Sequence, residues 1–212
     1  VDVVYTDASG TIVSSPTDAG IYTATATVND SRNSGSTTGT LTILQAPLTI
    51  TADAQSKEYL EANPVLTLTY TGFVNSEDSS VLTTQTTVGT AAAVDSVLGA
   101  YGIVIFGSVA SNYAITHVDG TLTVEKNSIG VTLAGLSQTY NGSGLVATAT
   151  PAVAGTSVVI TYADSEGAAV ASPTNAGTYI VTASVDDALY RGTETGSLVI
   201  GKATATVALS DL

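Results

Sequence analysis

The chain has 212 residues, of which 5 are basic and 18 acidic, giving a net charge of −13, and 44% are hydrophobic. That apolar fraction is too high for a disordered acidic tail, and five scattered Lys and Arg form no patch for nucleic acid or anionic lipid. With no cysteine and a single histidine, His117, there is no thiolate chemistry and one candidate at most for a catalytic imidazole.

Strand signals begin at once. Tyr22-Thr-Ala-Thr-Ala-Thr-Val28 alternates Tyr, Ala and Val with Thr, the period of a half-buried antiparallel strand. The preceding S-S-P-T-D-A-G predicts a turn in which Pro16 presets φ, Asp18 bonds nearby backbone and Gly20 supplies positive φ. Further strands are expected at 48–52, 65–71, 101–106, 121–124, 131–135, 145–150, 157–162 and 197–200, with Gly-rich and Asn/Asp-rich turns between them. Tyr179-Ile-Val-Thr-Ala-Ser-Val185 repeats the first pattern. Only Asn75–Leu82 reads as helical, with Ser76-Glu77-Asp78 able to open one short turn. No apolar run approaches the roughly 20 residues that span a bilayer.

The chain repeats itself. Residues 1–46 placed on 158–203 without gaps share 21 identical positions, including S-P-T-[DN]-A-G-x-Y at 15–22 and 172–179. Closing segments recur three times, as G-T-L-T-I at 39–43, G-T-L-T-V at 120–124 and G-S-L-V-I at 196–200. Openers recur as V-T-L-A-G-L at 131–136 and V-A-L-S-D-L at 207–212, and S-K-E-Y at 56–59 matches S-Q-T-Y at 137–140. This divides the chain into a truncated repeat at 1–46, a divergent complete repeat at 47–126, a complete repeat at 127–203 and the first strand of another at 204–212. Val1, aligned with Val158, falls inside a strand, so the start reads as a cut in a longer polypeptide whose exposed edge a neighbouring molecule would cover. Joints of a few residues are too short for flexible spacers.

These segments resemble a known family. The A-D-A-Q-S-K-E-Y opener, G-F-V-N-S-E-D-S-S-V-L, S-N-Y-A-I-T and the G-T-L-T-V-E-K closer are similar to the MBG ("mostly β, Gly-rich") repeats of bacterial surface proteins. The L-S-Q-T-Y-N-G-S-G opener with S-P-T-N-A-G-T-Y and G-S-L-V-I-G-K looks like a sister subtype. Leu60-Glu61 departs from the Gly-Asp pair usual after S-K-x-Y, which puts that turn's conformation in question. The resemblance implies tandem domains of large secreted adhesins without enzymatic activity, and it transfers no catalytic residue.

Candidate chemistry is sparse. Asp186-Asp187, Asp30, Asp164 with Glu166, Asp53 and Asp119 are the acidic groups to test for calcium, but no D-x-[DN]-x-[DN]-G run occurs. Asp18 as an acid or metal ligand is opposed by Asn175 at the matching position, since an amide does no acid–base work. His117 follows Tyr113 and Ile115 on the apolar face of a strand, or at its rim, and there is no G-x-S-x-G or H-E-x-x-H. A Lys–Asn crosslink has Lys57, Lys126 and Lys202 to draw on, the last two placed as solvated linker residues. Ten tyrosines admit a glycan-stacking face, yet Tyr5, Tyr22, Tyr162 and Tyr179 occupy repeated positions, as core-edge residues do.

The expectation is therefore an all-β chain of tandem small antiparallel sandwiches, immunoglobulin-like, in an elongated array; the alternative is a β-grasp-like sheet with one short helix. The expected role is a stalk or spacer in a bacterial extracellular adhesin, the alternative being repeats that themselves bind carbohydrate or another surface ligand. No catalytic, cofactor-binding or metal-ligating residue is assigned, and no cofactor is expected beyond calcium between domains. Expected partners are neighbouring repeats of the same chain, with no nucleic acid and no membrane insertion.

Overall fold

The computed structural model describes residues 1–208. Strands follow one another with short turns: β1 (Asp2–Thr6), β2 (Ile12–Val13), β3 (Gly20–Asn29), β4 (Ser34–Ile43), β5 (Ala46–Ala52), β6 (Gln55–Glu58) and β7 (Leu68–Thr71). Then come β8 (Thr84–Thr90), β9 (Gly99–Val109), β10 (Tyr113–Val118), β11 (Gly120–Glu125), β12 (Asn127–Ser128), β13 (Val131–Ala134) and β14 (Ser137–Thr139). The last are β15 (Thr148–Pro151), β16 (Val158–Ala163), β17 (Ala169–Val170), β18 (Gly177–Val185), β19 (Tyr190–Arg191) and β20 (Thr193–Gly201). Residues 204–208 lie in no strand, and 209–212 of the expected further opener lie outside the described residues.

The fold is all-β, built of small layered sheets, and the helical expectation over Asn75–Leu82 is corrected. Asn75 and Ser76 have positive φ, and only Ser79–Val81 make a single 3₁₀ turn, capped by Asp78 accepting from the Ser80 N–H. Strand β8 was not foreseen: T-Q-T-T-V-G-T offers one large apolar residue, too little for a period-two signal.

Contacts divide the chain into two compact units. The first comprises 1–55, 64–92 and 100–123, and the second 56–63, 93–99 and 124–212. In the first, β2-β1-β3-β4 form one sheet and β10-β5-β7 another. Strand β5 buries Leu48, Ile50 and Ala52 alternately, and these pack with Ile103, Ile105, Tyr113 and Leu122. The second unit layers β13-β15 on β14-β20-β18-β16-β17 around Ala147, Tyr162, Val181, Leu198 and Ile200. Each fully buried Leu or Ile contributes about 2 kcal/mol of transfer free energy.

Not every pairing is antiparallel. Strand β5 pairs parallel with β10, β12 with β19, and β14 with β20. Strand β5 thus lies in one sheet between β7, antiparallel to it, and β10, parallel to it.

The closer glycines now have a reason. A Cβ on Gly120 would lie 2.5 Å from the Ala52 carbonyl oxygen of the opening strand, and one on Gly196 would lie 2.9 Å from Leu133 Cδ1. A side chain at Gly120 would push the opener's backbone away, whereas at Gly196 the end of the Leu133 side chain would have to shift.

Candidate functional site

The proline turns end in tyrosines that lock them. Tyr22 and Tyr179 donate their hydroxyls to the carbonyls of Asp18 and Asn175, each at 3.0 Å and four residues upstream. This is the bond of a tyrosine corner, which fixes how the chain turns into a strand. Gly20 and Gly177 do not take positive φ, contrary to expectation. They lie against the rings instead: a Cβ there would make ordinary contact, at 3.6 and 3.8 Å, with Tyr22 and Tyr179.

Most candidate acids are turn caps. Asp30 accepts from the backbone N–H groups of Arg32 and Asn33, Asp164 from Glu166 and Ala168, and Asp187 from Leu189 and Tyr190. Asp53 accepts from the Thr67 and Thr69 hydroxyls, and Asp119 from the Ile105 N–H at 3.3 Å. Hydrogen bonds hold the Asp30 and Asp53 carboxyls below the usual range: chiefly the Arg32 N–H for Asp30, and the Thr67 hydroxyl for Asp53. Among the described residues no three His, Cys, Asp or Glu gather as a metal group would need. His117 lies exposed on β10, at the rim.

Polar side chains do converge where one repeat hands over to the next. Within the first unit, Asn112 donates from Nδ2 to Asp18 at 2.8 Å and accepts the Ala19 N–H on Oδ1 at 2.9 Å. Asp18 therefore binds a side chain of the following repeat rather than its own turn. Gln45 donates to the Ser111 carbonyl, and the Ala46 N–H donates to that of Asn112.

Within the second unit, Glu58 accepts from the Ser128 N–H at 2.9 Å, the Ser128 hydroxyl at 2.8 Å and Arg191 at 2.6 Å. Arg191 also reaches Glu125 at 3.5 Å. The Ser128 N–H, then its hydroxyl, then Arg191 hold the Glu58 carboxyl below its ordinary 4.5. Asn127 donates to the Tyr59 carbonyl, and the rings of Tyr59 and Tyr190 meet edge to face at 6.0 Å. Lys126, expected to be solvated, donates to the Asp187 carbonyl at 2.6 Å and is partly buried. Sequence reasoning missed this cluster; the signal was Arg191, one of only two arginines in the chain.

Lys57 is buried, and its ammonium donates to the carbonyls of Glu61, Ala93 and Val94. The turn it closes places Leu60 at φ 67, so a leucine holds left-handed backbone at the position where the family usually has glycine. In the first unit, Tyr113 donates to the Glu77 carboxylate and accepts the Val74 N–H; burial, then Glu77, pushes its phenol up.

This arrangement can fix angles and hold turns. Three surface grooves offer little more: those around Ile21, Ile43 and Leu44, and around Gly89, Val104 and Phe106, hold no titratable side chain, and that around Ile160 and Val170 holds only Tyr162.

The architecture is that of a tandem array of small all-β domains. Comparison with known families assigns it: the MBG domain pattern matches residues 1–47 and 130–204, and the MBG domain of the YGX type matches 48–123. The chain belongs to the MBG domain family. No curated protein matches it. Among solved structures, the N-terminal four Ig domains of Dscam1 isoform 9.44 align over 95% of this chain and 65% of that one, at 12% identity and a TM-score of 0.26.

Proposed function

We propose that this chain is a run of non-catalytic spacer repeats from a large bacterial extracellular adhesin, projecting a binding domain carried elsewhere. The observation that carries this reading is a repeated joint. At each handover a residue donates its N–H to a loop of the later repeat, Ala46 to the Asn112 carbonyl and Asn127 to the Leu189 carbonyl, each at 2.9 Å. Polar side chains beside each bond are spent on neighbouring repeats rather than aimed into a cleft. The family supports the surface location, and its repeats of about eighty residues suit self-contained beads.

A glycan array, probed with the whole 212-residue chain, tests this against the adhesive alternative. The spacer reading expects no glycan retained above background. Saturable binding to any glycan, lost on heating the chain through its unfolding, would overturn it.

A further inference from the structure

In each complete repeat, strands near its start pair in parallel with strands near its end. In the first unit, β5 lies parallel to β10 over six positions, from Ala46 opposite Tyr113 to Thr51 opposite Val118. In the second, Asn127 and Ser128 lie opposite Tyr190 and Arg191, and Ser137 to Thr139 lie opposite Val199 to Gly201. Bonds flank these ladders: Ile129 N–H to the Arg191 carbonyl, Val199 N–H to Leu136, and Tyr140 N–H to Gly201, each at 2.8 Å. Beneath β20, Leu198 and Ile200 are buried, which shields one side of the ladder from water.

The chain enters a repeat at the start of its first strand and leaves at the end of its last. Tension along the chain therefore draws two parallel strands past each other in opposite directions. Ladder bonds lying across the pull are loaded together, in shear. Antiparallel strands pulled apart from one open end instead lose their bonds one at a time.

We propose that these parallel pairings of opening with closing strands are shear clamps, and that the repeats at 47–126 and 127–203 resist tension applied along the chain. The inference rests on the spacer reading and adds load-bearing to it. The residues that bear the load are the backbone groups of Ala46, Asn112, Asn127, Leu189, Tyr140 and Gly201. Side chains at the joints, Asn112 with Asp18 and Arg191 with Glu58, lie beside the clamps and hold the strands that enter them.

The experiment holds the whole chain by its two ends under constant force; the lack of cysteine lets one be added at each end as a handle. Two slow unfolding steps are expected, each releasing the length of one complete repeat. Tyr140→Pro removes the N–H that bonds Gly201, and Ala46→Pro removes the one that bonds Asn112. Each should make its own repeat unfold about five-fold faster under load, the barrier cost of one net hydrogen bond. Asp164→Ala, which strips the turn between β16 and β17 outside the clamp, should lower the melting temperature while leaving the rate under load within about two-fold, because its bonds break after the barrier.

If either proline variant fails to fold, the other carries the test in its own repeat. Should both unfold under load at the parent rate, or should Asp164→Ala speed unfolding as much as they do, the clamps are wrong. Repeats that yield rapidly in the unaltered chain would sink load-bearing yet leave the spacer reading standing, since glycan binding tests that separately.

Discussion

Residues 1–43 and residues 158–200 build the same sheet twice, strand for strand. Tyr5 faces Ala24 and Val13 as Tyr162 faces Val181 and Val170, and Tyr22 faces Leu41 as Tyr179 faces Leu198. What covers the two sheets differs. Strands β13 and β15 lie over the second, and Val181 and Leu198 are fully buried there. Among the described residues of the first, no such layer exists, and Ala24 and Leu41 are only half-buried while Val3 is 50% exposed. Register is thus set within the sheet, by its turns and tyrosine locks, and does not depend on the covering layer. Burial, and with it most of the stability, comes from that layer.

Truncating the two equivalent leucines is the strongest way to break this contrast. Leu198→Ala should cost about 3 kcal/mol, because a sealed core cannot collapse around the cavity. Leu41→Ala should cost about 1 kcal/mol, from a site that keeps part of its solvent contact. Native-state hydrogen exchange, read separately on β18–β20 and β3–β4, distinguishes them. Equal losses would mean that the first sheet is covered after all.

The closer glycines sharpen the same point. Gly120→Ala should destabilise by about 2 kcal/mol, since its Cβ meets backbone rather than a yielding side chain. Gly39→Ala meets nothing within 4 Å and should be neutral or gain about 0.5 kcal/mol through a stiffer unfolded chain. Denaturant titrations of the two variants check the sign.

Leu60→Gly should stabilise by about 1 kcal/mol, because glycine enters left-handed backbone without the Cβ penalty and Leu60 is 46% exposed. Thermal unfolding is the readout. A loss would show that the leucine side chain contributes more by packing than its backbone costs.

The smallest effect is in acid. Glu58 is held below 4.5 in the fold, so its contribution is fully present above that value and disappears as pH falls through the lowered one. The second unit should therefore lose protection progressively below about pH 4.5, the ordinary carboxylate range. Glu58→Gln should remove part of that slope, and an unchanged acid profile would show that other carboxyls carry it.

Much of this was legible in the residues. Alternation gave β3, β5, β16 and β18, and the internal repeat gave their equivalence, because side-chain period and turn chemistry are local properties. Parallel pairing was not legible. Nothing in V-T-L-A-G-L or S-Q-T-Y says that the opening strand will lie beside the closing one, since that depends on which layer has a free edge. The joint cluster was missed for a related reason: Glu58 and Arg191 are 133 positions apart and meet only once the strands are placed. Asp18 was read as a turn residue, yet its carboxylate serves Asn112, 94 positions on.

The spacer account rests on repeats that stay extended, and small-angle scattering from the monomeric chain tests it most directly. A single 212-residue globule would have a radius of gyration of about 17 Å. The account predicts a value well above that, with a distance distribution that tails to long separations and keeps its form between low and high salt. A radius near 17 Å with a symmetric distribution would contradict it.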